Sequence, residues 1–172
     1  MDQSFLEQIR RKHLLREAEG YLELGLSERA MEVLDRLPEG DRECPDALLI
    51  RAEVLRYTGQ YQSALEILER LAEKDPDHVG IRLAMGWCHK RIGRIDLACA
   101  DLEMAKRVDP HNALVLYNLA CYYSLLGKKQ EALAHLEEAL RREPDLRKLV
   151  DTETDFDALR SDPEFIRLVY SE

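Results

Sequence analysis

Basic residues are in short supply: 25 Lys and Arg stand against 34 Asp and Glu, a net charge of −9. Phosphate binding needs clustered cations, so nucleic acid is not the expected partner. No apolar run approaches the ~20 residues of a membrane-spanning helix, so no membrane partner is expected. Near the N-terminus, Phe5, Leu6 and Ile9 stand isolated among Gln, Glu and Arg, unlike the apolar core of a secretory leader. The 4 cysteines form no Cys-x-x-Cys pair, which fits a reducing compartment and makes cytoplasm the expected location. Aromatic residues make up only 6% of the chain, with a single tryptophan, Trp87. Neither a glycine-rich phosphate loop nor a defensible pair of catalytic carboxylates is present, which argues against an enzyme and against a bound cofactor. What remains is ample for a core. Hydrophobic residues at 45% can fill one, and charged residues at 34% suit helices with one solvated face. At 172 residues one domain is expected, able to bury about 70% of its unfolded surface.

The chain has 8 glycines, and four of them, Gly25, Gly59, Gly93 and Gly127, stand 34 residues apart. Five residues after each comes an alanine (Ala30, Ala64, Ala98, Ala132), and four further on a leucine (Leu34, Leu68, Leu102, Leu136). A fixed register of this kind marks an array built by stacking one small unit. The unit reads as two helices. A small residue (Ala18, Ala52, Gly86, Ala120) lets helix backbones approach, and a larger one three positions on (Tyr21, Leu55, His89, Tyr123) fills the space beside it. The glycine ends the first helix in the left-handed region. The second helix buries a stripe continued by Leu37, Leu71, Ala105 and Ala139. Asp75-Pro76, Asp109-Pro110 and Glu143-Pro144 close the second helices, because a residue before proline is driven out of helical space.

These residues resemble the tetratricopeptide repeat family, most completely over Leu116 to Pro144, where Leu116, Leu119, Ala120, Tyr123, Gly127, Ala132, Leu136, Ala139 and Pro144 all match. Repeats are placed at 11–44, 45–78, 79–112 and 113–146, with an N-terminal extension at 1–10 and a cap at 147–172. The resemblance implies an all-α, helix-turn-helix solenoid, a right-handed superhelix of antiparallel helix pairs with a C-terminal capping helix. Glu17, Arg51 and Arg82 depart from it, standing where the family prefers apolar residues, so snorkelling or looser packing is expected there. Arg42 replaces the closing proline of the first repeat, whose second helix is expected to be short.

Both ends read as caps. Ser4 and Glu7 form a capping box that starts a first helix of about twenty residues. Phe5 and Ile9 lie one turn apart on it, either packing against neighbours or forming a dimer contact. The stretch Asp155-Phe156-Asp157-Ala158-Leu159-Arg160 followed by Ser161-Asp162-Pro163-Glu164-Phe165 is similar to a closing segment of many bacterial tetratricopeptide proteins, which implies a bacterial source. Ser161 and Glu164 read as a second capping box for a helix to about Tyr170, with Phe156, Leu159, Phe165, Ile166 and Val169 covering the last repeat. The alternative is a tail that docks into the binding groove and inhibits it.

Catalytic and metal signals are weak. Glu131, His135 and Glu138 share a helical face at a spacing that zinc accepts, but a solvated face of an acidic protein explains them as well. Cys88 and His89 are adjacent, hence about 100° apart around a helix, and cannot easily act on one atom. No catalytic residue and no metal site are assigned. In the resembling family the first helices line a concave face that holds a partner. Carried over, that face bears Lys12, Leu15, Glu19 and Leu22, then Asp46, Leu49, Glu53, Arg56 and Tyr57, then Leu83, Trp87, Lys90 and Arg91, and finally Leu114, Tyr117, Cys121 and Ser124. The mix of aromatics and arginine is the one that dominates interface energies. Lys90 and Arg91 suggest a ligand with carboxylates. The carboxylate clamp of co-chaperone relatives is missing: its places hold Leu15, Glu19, Ile50, Gly80 and Ala84, or, one repeat on, Leu49, Glu53, Ala84, Leu114 and Asn118. The expected function is therefore a non-catalytic adaptor binding a peptide or partner segment, the protein itself being a monomer or a weak homodimer through its first helix. A secretion-type chaperone and a self-assembling scaffold are the alternatives.

Overall fold

A computed structural model describes residues 3–170, and side chains from residue 5 to residue 170. Its described residues are helical, in antiparallel pairs joined by tight turns, and divide into two compact units, Met1–Pro76 and Asp77–Glu172.

The first unit holds α1 (Gln3–Glu23) packed on α2 (Ser27–Asp35), and α3 (Pro45–Tyr57) packed on α4 (Tyr61–Lys74). Leu14, Leu15 and Ala18 of α1 meet Val33, Leu34 and Leu37, with Ala47 and Ile50 of α3 closing the cluster. Among the described residues α1 begins at Gln3, one residue from Ser4, and runs 21 residues, close to the start and length expected; the Ser4 side chain lies outside the described residues. As its missing proline implied, α2 is short at 9 residues against 14 in α4. Arg42 takes over the closing role, donating to the Leu37 carbonyl at 2.9 Å.

The second unit holds α5 (Val79–Arg91), α6 (Ile95–Val108), α7 (Ala113–Leu125) and α8 (Lys129–Arg142), followed by α9 (Arg147–Val150), a 3₁₀ segment at Thr154–Leu159 and α10 (Pro163–Tyr170). Its core joins Leu102, Leu119, Ala120 and Leu136 from the repeats to Phe156, Phe165 and Val169 from the closing segment. Ile166, expected to join them, is exposed instead.

One device ends every first helix. Gly25, Gly59, Gly93 and Gly127 have φ between 70° and 80°. That reversal lets the next amide donate back to the carbonyl five residues earlier, as in Lys128 to Tyr123 at 2.9 Å. The second helices end as the prolines require, with Asp75, Asp109 and Glu143 extended at φ near −135°. The charged residues in apolar places are ion-paired: Glu17 with Arg36 at 2.9 Å, Arg51 with Asp35 at 3.5 Å, and Arg82 with Asp101 at 3.5 Å.

Candidate functional site

A step of 34 residues carries each position of the row expected from the sequence to its equivalent in the next repeat: Leu49 to Leu83 to Tyr117, Glu53 to Trp87 to Cys121, and Arg56 to Lys90 to Ser124. The row is set by helical spacing, its members falling three or four residues apart on one face.

In the first unit the row lies on α1 and α3. Leu15 is buried in the helix cluster, so it is packing rather than contact surface. Leu49, Glu53 and Arg56 are half-buried, and Tyr57 is 61% exposed. Arg56 Nε donates to Glu53 at 3.0 Å while its guanidinium carbon lies 4.7 Å from the Tyr57 ring centroid. Burial works against the Arg56 charge, but the Glu53 carboxylate outweighs it and raises its pKa further.

In the second unit α5 presents Leu83 and Trp87, both half-buried, and an exposed Arg91 whose guanidinium carbon lies 5.4 Å from the Trp87 ring centroid. Leu114, at the start of α7, is exposed. Three row residues do not belong to an open surface. Tyr117 and Cys121 are buried, as is Ser124, because the 3₁₀ segment Thr154–Leu159 lies over that face of α7. Phe156 meets Tyr117 edge-on at 5.8 Å between centroids. Asp155 pairs with Lys90, so one row cation is already engaged within the chain. The closing segment is therefore a lid on the core and also an occupant of the row.

This seat has unusual chemistry. The Cys121 sulfur and the Glu153 and Asp155 carboxylates lie within 4.8 Å of one another. Burial first, then those two carboxylates, push the Cys121 thiol well above its ordinary range, which leaves it protonated and a poor nucleophile. Burial first, then Cys121 and the same two carboxylates, push the Tyr117 hydroxyl up as well. Among the described residues, the Tyr117 and Ser124 hydroxyls are buried without a hydrogen-bond partner. The Cys121, Glu153 and Asp155 trio was invisible to sequence reasoning, since no spacing rule links residue 121 to a segment outside the repeats.

The other sequence candidates fall into structural roles. His89 Nδ1 lies 2.7 Å from Asp101, a buried carboxylate shared with Arg82, and Cys88 beside it is fully buried. Of the helical trio, His135 contacts the Glu131 carbonyl at 2.7 Å and Lys106 at 3.0 Å, while Glu138 pairs with Arg141 and Arg142. His135 and Glu138 thus face different partners rather than one point.

Residues 45–88 match one family model of the tetratricopeptide repeat and residues 113–146 match a second. Both stretches are therefore tetratricopeptide repeats. A thermophilic tetratricopeptide protein of Thermus thermophilus, TTC0263, superimposes with a TM-score of 0.71 at 24% identity, covering 86% of this chain and 85% of that one. MamA gives 0.68 at 21% identity over 80% and 81% of the two chains. The AMB-1 form of MamA gives 0.69 at 22% over 94% and 91%. These likenesses establish the helix-pair fold. No curated protein matches the chain in sequence. Tetratricopeptide repeats are protein-interaction modules, and this repeat array carries that coarse function. Among the described residues no helix is long and apolar enough to cross a membrane.

Proposed function

We propose that this tetratricopeptide protein is a non-catalytic adaptor whose inner-row residues hold a segment of a partner protein. One observation carries the reading. In both units a row position sets an arginine against an aromatic ring at the surface, Arg56 on Tyr57 and Arg91 on Trp87, rather than burying the ring in the core. Arginine and aromatic side chains are the groups on which interface energies concentrate. Leu83 beside Trp87, and Leu49 beside Glu53, add apolar area to each. Four free thiols, three of them buried, fit the cytoplasm as its location.

The test is capture from the source lysate by wild type and by the double variant Trp87→Ala, Arg91→Glu, with circular dichroism to show that both are folded. Loss of a captured partner from the folded variant is expected. Equal capture by both would move the binding surface elsewhere. A second reading draws on α1, where Phe5 is 52% exposed and Ile9 50%. It makes the first helix a self-association surface, and it predicts a size that grows with concentration in sedimentation and is abolished by Phe5→Glu.

A further inference from the structure

The closing segment covers the row positions of α7 and engages Lys90 of α5. Three features of Glu153–Leu159 match a bound peptide more closely than a hydrophobic lid. First, it presents charge and ring in sequence to matching row positions. Asp155 pairs with Lys90 on α5, and the next residue, Phe156, sits against Tyr117 on α7. Lys90 is the row equivalent of Arg56. Second, the segment is held in shape from behind. The Arg160 guanidinium donates to the carbonyls of Val150 at 3.2 Å, Asp151 at 3.1 Å and Glu153 at 2.9 Å, and Glu153 accepts from the Asp155 amide at 3.2 Å. Third, the fit is incomplete in polar terms. Tyr117 and Ser124, two turns apart on the covered stripe, keep hydroxyls that are buried without a hydrogen-bond partner among the described residues. Two carboxylates, those of Glu153 and Asp155, crowd the Cys121 thiol. A cap serving stability alone gains from apolar residues at such positions, since a buried hydroxyl without a partner forfeits its hydration.

We propose that Lys90, Tyr117 and Cys121 form a binding seat for a short segment in which a carboxylate is followed at once by an aromatic ring. The strap Glu153–Leu159 is its built-in occupant, and a partner segment of the same chemistry takes the seat by exchange. The proposal rests on the adaptor reading and gives its partner a chemical class. Affinity is then governed by how often the strap leaves, because a seat open for a small fraction of the time weakens apparent binding by that fraction.

The probe is a fluorescent peptide of residues 151–161 of this chain, read by anisotropy against three full-length proteins. Wild type is expected to bind it weakly. Asp155→Ala, Phe156→Ala, which empties the seat, is expected to bind at least about tenfold more tightly. Adding Lys90→Glu to that variant is expected to abolish binding. A folded double variant that binds no better than wild type overturns the proposal. Because emptying the seat can unfold the cap, hydrogen exchange on wild type supplies a second test. The amides of Asp155 to Asp157 are expected to exchange at least about tenfold faster than those in the middle of α7. Equal protection means that the strap opens only with the whole unit, and overturns exchange. Dimerisation of wild type with straps swapped between copies assigns the seat to a second copy and overturns the partner assignment. Failure of the exchange alongside capture that still depends on Trp87 would refute the seat and leave the adaptor reading intact.

Discussion

Gly127 shows how one residue sets the repeat. Its φ is +70°, and nothing lies within 4 Å of where a Cβ would stand. A side chain there meets only its own backbone strain. Gly127→Ala is expected to cost about 1–2 kcal/mol in urea denaturation, and Gly127→Asn less, because asparagine tolerates the left-handed region. Equal losses would mean that strain is not the cause. Gly86 acts by contact instead: a Cβ would meet Leu102 Cγ at 3.2 Å and the Ala98 carbonyl at 3.3 Å, which is the close helix approach read from its small-residue position. Glu103 carries a second prediction. Burial would raise its carboxyl, but the Tyr123 hydroxyl at 2.8 Å and then Lys106 at 3.2 Å, with His135 nearby, outweigh burial and lower it from the ordinary 4.5. A lowered carboxyl binds its proton more weakly in the folded state. Its contribution is present above the unfolded pKa and lost as pH falls through the folded one. Stability should drop as pH is lowered from about 5 toward 3, and Glu103→Gln should flatten that drop. Urea midpoints measured across the range check it, and parallel profiles would refute it. Glycines and alanines were legible because each acts through its own helix pair. Asp101, partner of both His89 and Arg82, was not, since nothing on α6 marks which side chain it faces until α5 is packed on it.

The last helix separates two readings of one start signal. Sequence spacing nominates Ser161 as the cap of α10, yet Asp162 performs the role. Its Oδ1 accepts from the Glu164 amide at 2.9 Å, and its other oxygen lies 2.6 Å from Lys129 on α8. Asp162→Ala is therefore expected to lose about 1 kcal/mol. Ser161→Ala should stay within about 0.5 kcal/mol, as surface substitutions do. Thermal unfolding of the two variants compares them directly, and a larger loss at Ser161 would restore the sequence reading. The elements inside the repeats were foreseeable because four copies of one pattern constrain each boundary, down to the shortness of α2. The strap was not foreseeable in the same way. It has no counterpart in any repeat, so its residues could be read as apolar and acidic, but the register that sets Phe156 on Tyr117 arises only in the folded unit.

Across the molecule, the two units differ in what they bury. Among the described residues the first unit has no fully buried aromatic, and its α2 is short. The second buries Tyr117, Tyr122, Phe156 and Phe165, the last two with rings 5.6 Å apart. Aromatic side chains contribute more buried area per residue than any others. In repeat arrays each unit's stability depends on its own content and its nearest neighbours. The second unit should therefore outlast the first under denaturant. Trp87 is the sole tryptophan and lies in the second unit, so its fluorescence reports that unit alone, whereas far-ultraviolet circular dichroism reports helices of both. The dichroism transition is expected to begin at lower urea than the fluorescence transition. Coincident curves would mean that the units unfold as one body, and that the difference in their buried aromatics is shared through cooperativity rather than expressed unit by unit.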